Sequence, residues 1–427
     1  MGLLRATALV AGIIVGASIF VQPSEVSRHV STIPAMFAVW STAGIMSIAG
    51  ALVCASLAAI FPQTGGVYVY LRETISPAAG FLWGWAMFWS AHTGIIAAIS
   101  MIFANYLGVL APLTDLETRA AAIGVIVLLS AINYFGVRAG SAVQTAFTIA
   151  KLAAIAGILI AVIALAPPKA ASAPAIDGPH GAHEFVLGIS AGLFAFGGWH
   201  MVTYAGGEIR DPARTIPRAL LLGMIIVTAC YFSLNAAYLR VLPLETVLNS
   251  RHVAADAAGV MAGTRGASMV AVLVMLSAFG GLSGTVLAGP RVYYAIAQDG
   301  LLWRAMATAH PRFQTPHVAI VAQAAWAAAL VATGTYRVLF TRVVYTEFLF
   351  FGLMTFGLMR FQKRRFQKRV TPAALLFLAG CAIVVGNQLA ADLKEAAFGI
   401  LLVALGIPVY YFLKRSRSRA RHSYVNH

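Results

Sequence analysis

The chain has 427 residues, 60% of them hydrophobic and only 10% charged, with a mean hydropathy of +0.83. That excludes an ordinary soluble domain, in which about a quarter of the residues are charged. The formal net charge of +16 gathers at the ends of apolar blocks and not along one polar face. The positive-inside rule explains this pattern, and it argues against a nucleic-acid binder.

Apolar blocks of about 20 residues, the length needed to cross a bilayer, predict an all-α polytopic membrane protein with 12 transmembrane helices. The spans fall at about 5–29, 33–60, 78–110, 119–137, 141–166, 184–208, 216–241, 266–297, 317–333, 336–360, 371–390 and 395–413. Span 1 is followed by "VQPSEVSRHV" and a second span, not by a small-residue cleavage site, so it reads as a helix and not as a signal peptide. Breaker-rich stretches divide the rest: "ISPAAG" between spans 2 and 3, "APPKAASAPAIDGPHGAHE" between 5 and 6, "RDPARTIP" between 6 and 7. Cys54, Cys230 and Cys381 all lie inside apolar blocks, with no CxxC pair to suggest a metal.

An even number of spans puts both termini on one side. With the termini inside, the inner segments hold 20 of the 30 basic residues, including the "RFQKRRFQKR" block from Arg360 and the "KRSRSRAR" tail from Lys414. The expected location is therefore the cell membrane with both termini cytoplasmic.

Two spans carry interruptions. Span 1 contains "VGASIF" (Val15 to Phe20), and span 6, five helices later, contains "GLFAFGGWH" with Gly192, Gly197 and Gly198. Matching Gly-interrupted segments in two halves point to a transporter built from inverted repeats. An unwound backbone at membrane depth must face a cavity or another protein group. Its free N–H groups suit an anionic substrate group and its free carbonyls an ammonium, and small residues let both ends of a zwitterion approach. Close helix packing is the alternative use of such glycines.

On these motifs the chain resembles the amino acid–polyamine–organocation superfamily, and within it the L-type amino acid transporter branch. Span 1 is similar to the family's "GSGIF", with Ser18 in place of the second glycine. Span 6 and its exit, "FAFGGWHMVTYAGGEIRDPARTIPRAL", resemble "FAYGGW…EEIxNPxRNLPRAI". Span 8, "FGGLSGTVLAGPRVYYAIAQDGLL", is similar to "FGSLNGxxFxxSRxxxxxAREGxLP", with Ser283 replacing asparagine. The resemblance implies a LeuT-like 5+5 inverted repeat with discontinuous helices 1 and 6. It divides the chain into repeats at 1–166 and 167–360, peripheral spans at 361–413 and a basic tail at 414–427. It also implies that Gly16, Ala17, Ser18 and Ile19 bind a substrate carboxylate, and that Phe194, Ala195 and Gly197 offer carbonyls to its amine. The Phe194 ring would cap the pocket and Trp199 line the substrate side chain. His200 stands where asparagine is usual; it and His92 read as pH sensors or as hydrogen-bonded helical histidines.

Lys151 sits roughly 15 Å deep in span 5, where a lysine costs at least about 2.5–3.5 kcal/mol on insertion scales. The resemblance implies that its ammonium stands where sodium-coupled relatives hold Na⁺, between spans 1 and 8 near Ser283. Snorkelling to the inner face is the alternative. Glu347 in span 10 is the other deep charge, able to pair with a base, relay a proton or contact substrate. Glu208 and Asp211 read as inner-gate partners of Arg210, Arg214 or Arg218.

The expected activity is sodium-independent transport of neutral amino acids by alternating access, by exchange or, alternatively, by proton symport. No HExxH or GxSxG motif suggests an enzyme. No cofactor, metal or nucleic acid is expected; the partners are the substrate and the lipid bilayer. Animal members of the branch are tethered through a cysteine in the loop after span 3. "APLTDLET" has none, so no disulfide-linked partner subunit is expected.

Overall fold

A computed structural model describes residues 1–30, 32–63, 65–135, 141–165, 181–364 and 371–414. The 166–180 part of the Pro-rich loop, the basic block beyond 364 and the tail beyond 414 lie outside the described residues, as does the Glu208 side chain. Among the described residues the structure is all-helical. Seven helices are long and apolar enough to cross a membrane, and four shorter apolar ones accompany them.

The first 30 residues do not form one helix. α1 (Leu3–Ile14) stops at Val15, whose φ −69°, ψ 70° is not helical; a 3₁₀ turn follows at Ser18–Phe20, then α2 (Gln22–Ser27). α3 (Ile33–Ile60) starts where the Thr32 hydroxyl accepts the Ala35 N–H at 3.3 Å. α4 is Val67–Thr74, and α5 (Pro77–Ala86) is capped by Ser76 in the same way. A π-turn at Met87–Ala91 carries α5 into α6 (His92–Leu110). α7 (Asp115–Tyr134) opens on a capping box between Thr114 and Glu117, and α8 is Ser141–Leu165. Such caps satisfy the orphan N–H groups of a first turn.

In the second half, α9 (Ala182–Ala195) ends at Phe196–Gly197–Gly198, and a 3₁₀ segment runs from Trp199 to Glu208. Gly198 has φ +95°, a left-handed conformation that glycine adopts without strain, and a Cβ there would lie 2.7 Å from Ile13. Here the two interruptions pack directly against each other. α10 (Pro212–Val241), α11 (Leu244–Asn249) and α12 (Val253–Gln298) follow, the last broken at Ala262–Gly263. α13 (His317–Thr333), α14 (Tyr336–Arg364), α15 (Pro372–Ala391) and α16 (Leu393–Ala404) complete the order.

α1 beds against α8 and α10, α9 against α3, and α12 against α6. Both interruptions therefore lie at the centre, surrounded by α6, α10, α12 and α14. The two ends of the bundle are closed differently. At one end Arg337 donates to Glu25 at 2.7 Å and His29 meets Glu184 at 2.7 Å, joining α14 and α9 to α2. At the other the Arg210 N–H donates to the Met1 carbonyl at 2.9 Å, and the Tyr68 hydroxyl donates to Asp299 at 2.7 Å.

Candidate functional site

The first interruption buries Gly16, Ala17, Ser18 and Ile19. The 3₁₀ turn's own hydrogen bonds run from the Phe20 N–H to Ala17 and from the Val21 N–H to Ser18, at 3.1 and 3.0 Å. The N–H groups of Ala17, Ser18 and Ile19 precede those donors, so they stand at the positive start of a helical turn. In the second interruption the Gly197 N–H donates to the Phe194 carbonyl at 3.1 Å and the Phe196 N–H to the Gly192 carbonyl at 3.2 Å.

Tyr231 on α10 joins the two breaks. Its hydroxyl lies 2.8 Å from the Ile14 carbonyl and 2.8 Å from the Ala195 carbonyl, one proton shared between the last carbonyls of both first half-helices. Nothing in the local sequence singles out this tyrosine; only helix packing brings it to the breaks. Tyr231→Phe should weaken the closed arrangement by about 1–3 kcal/mol, because two buried carbonyls lose their donor. The checks are a lower melting temperature and slower amino acid exchange, with the protein still folded in detergent.

Phe194 and Ala195 end α9, both buried. The Phe194 ring meets Phe340 at 5.5 Å, tilted by 41°, and Tyr336 at 6.3 Å, so three aromatic rings lie between the breaks and the Glu25–Arg337 end. Beyond them opens a cleft of about 200 Å³, lined by His29, Arg337, Phe340, Tyr345 and Gln388 among others. The cleft is separated from the breaks by that aromatic layer. Trp199 does not turn toward Ser18: its ring packs on Phe351 at 4.9 Å and Phe377 at 6.1 Å, and against Gly50 of α3.

Lys151 is buried and its Nζ donates to the Gly12 carbonyl of α1 at 3.4 Å. The same Nζ lies 3.8 Å from the place a Cβ on Gly281 of α12 would take. Lys151 of α8 is thus bonded to α1 and stands close to α12, with its ammonium inside the bundle. The α12 position facing it is Gly281; Ser283 is half-buried two residues on, which at 3.6 residues per turn puts it on the far side of the helix.

Glu347 is 4% exposed, and its Oε1 lies 4.0 Å from Nε2 of the fully buried His200. His92 Nε2 instead meets the Thr285 carbonyl at 2.8 Å, tying α6 to α12. At the inner-gate candidates, Arg214 and Asp211 pair at 3.9 Å with both side chains more than half exposed. An ion pair so exposed contributes little; the backbone bond to Met1 and the Tyr68–Asp299 bond hold that end more effectively. Cys54, Cys230 and Cys381 are all free thiols.

Two broken helices are thus stitched at their broken ends inside a bundle whose long helices are apolar enough to cross a membrane. The chain belongs to the amino acid permease family, whose profile matches residues 1–408, within the amino acid–polyamine–organocation superfamily. It is 32% identical to the serine/threonine exchanger SteT of Bacillus subtilis, over 98% of this chain and 97% of that protein. It is 30% identical to the human b(0,+)-type amino acid transporter 1, over 75% of this chain and 67% of that one. The large neutral amino acids transporter small subunit 2 of Oryctolagus cuniculus is 31% identical, over 75% of this chain and 62% of its own length.

Proposed function

We propose that this chain is a sodium-independent exchanger of neutral amino acids in the cell membrane, working by alternating access. In this reading twelve spans place both termini in the cytoplasm, with spans 1–5 and 6–10 as inverted repeats. The observation that carries it is the paired break. The N–H groups of Ala17, Ser18 and Ile19 open the turn in the first break, the Phe194 and Ala195 carbonyls close α9 at the second, and Tyr231 ties Ile14 to Ala195 between them. A free amino acid presents the matching carboxylate and ammonium. Relatives named as exchangers and as neutral amino acid transporters support the substrate class.

The roles follow from placement. Gly16 to Ile19 take the carboxylate, and Phe194, Ala195 and Gly197 take the amine. Phe194 with Phe340 and Tyr336 forms the outer gate. Lys151 supplies a fixed cation between α1 and α12. Trp199 supports the break from behind, against α3 and α15.

Phe194→Ala should slow transport at least about tenfold while leaving substrate affinity within about threefold. The backbone contacts survive, but the closure that commits the substrate is lost. Initial exchange rates in liposomes set against equilibrium binding in detergent check this; a wild-type rate refutes gating. The function as a whole is tested by counterflow in liposomes with a panel of amino acids, with and without Na⁺, at two pH values. Saturable, stereoselective and Na⁺-indifferent counterflow is the expected result; a need for Na⁺ or a lack of saturation overturns it.

A further inference from the structure

We infer that Glu347 and His200 form a proton-binding site beneath the break in the second half, holding one exchangeable proton between a carboxyl and an imidazole. Four observations converge on it. Both side chains are almost wholly buried, 4% and 0% exposed, at membrane depth. The Glu347 Oε1 and both His200 ring nitrogens have no hydrogen-bond partner within the protein, although Oε1 and Nε2 are only 4.0 Å apart. The walls are otherwise aromatic: the His200 ring is flanked edge-on by Trp83 at 5.8 Å, Trp199 at 5.6 Å, Tyr204 at 5.7 Å and Phe351 at 5.1 Å. Among the described residues the ion-pair partner of Glu347 is this histidine and not a lysine or arginine.

A lone carboxylate in such a place is costly, and an imidazolium beside it would be no better off alone. One proton resolves both. At rest it resides on Glu347 with a neutral His200; passing to Nε2 would leave carboxylate and imidazolium as a neutral pair, so atoms and charge balance either way. The other titratable groups near the pair are His92 from α6, beside His200, and Tyr204 from the same 3₁₀ segment, beside both; Cys54 of α3 and Tyr293 of α12 lie next to Tyr204. Toward the Tyr68–Asp299 end the neighbours are polar. Thr203 donates to the His200 carbonyl at 2.6 Å, and its side chain is in reach of Cys54 and of Tyr70 on α4. Opening that end would bring water along this line to the pair. The proton's occupancy and the closure of that end are therefore linked, so the transport cycle depends on pH.

The inference rests on the transporter reading only for its consequence, a pH-dependent cycle. It is tested first without transport. Purified protein in lipid at neutral pH should show a protonated-carboxyl infrared band that is lost in Glu347→Gln and displaced in His200→Asn, where the carboxyl has a different neighbour. If Glu347→Gln does not fold, the displacement in His200→Asn decides. Exchange in liposomes, with equal pH on both sides between about pH 5 and 8, should change with pH in the native protein and lose that dependence in Glu347→Gln. An absent band, a band that neither substitution alters, or an unchanged pH profile in the folded Glu347→Gln variant overturns the site. A band that behaves as described in a protein that moves no amino acid sustains the proton site and overturns the transport reading. A missing band with intact exchange does the reverse.

Discussion

Gly197→Leu is expected to weaken amino acid binding by at least about 100-fold, equivalent to about 2.7 kcal/mol, in a protein that still inserts and folds. The geometry sets both halves of that result. A Cβ on Gly197 would find as its nearest atoms the carbonyl oxygens of Phe194 at 3.1 Å and Leu193 at 3.8 Å. Those are backbone groups at the end of α9, the first of them a carbonyl assigned to the substrate amine, and not a neighbouring helix. A leucine side chain would fill the space in front of them while leaving helix packing alone. The control is Gly198→Leu, where left-handed backbone and contact with Ile13 should instead lower thermal stability. Isothermal binding with size-exclusion profiles of both variants separates the two. Normal affinity in Gly197→Leu, with reduced stability, would return the glycine to a packing role and sink the site.

Lys151→Ala should leave little exchange, at least about tenfold below the native rate, and sodium should not restore it. A charge-assisted hydrogen bond contributes about 1.5–3 kcal/mol, and here it ties the Gly12 carbonyl of α1 to α8, with Gly281 of α12 close to the ammonium. Without it, α1 loses one of the contacts that keep its end of the bundle shut, and a buried carbonyl is left without its donor. Sodium has no complete set of oxygens to replace the ammonium, since α12 offers a glycine and not a hydroxyl at the facing position. Native exchange should accordingly be unchanged when choline replaces Na⁺. Uptake measured in both media, for both proteins, tests this. Na⁺-stimulated native transport or full activity in Lys151→Ala would show that the ammonium does not stand in for an ion.

The two interruptions were legible because their signals are local. Glycine in an apolar run marks a weak helix wherever it occurs, and both breaks stand where "VGASIF" and "GLFAFGGWH" put them. That Lys151 falls well inside an apolar helix was equally legible, since position along a helix is a matter of counting residues. Facing was not. Ser283 reads as the lysine's neighbour from the motif alone, yet the helix turns Gly281 to it. Trp199 follows the break in sequence but points behind it, toward Phe351 and Phe377.

The sequence by itself determined that this is a helical membrane protein, where its helices run and where two of them fail, because hydropathy and backbone propensity act over neighbouring residues. Only the tertiary structure decided which side chains meet. Tyr231 reaches a carbonyl 36 residues away and another 217 residues away, and Glu347 meets His200 from a different helix. A helix in an apolar bundle is hydrophobic on all sides, so its composition does not say which face turns inward. That choice is made by close packing between helices, and it is what places the polar groups of this protein against one another.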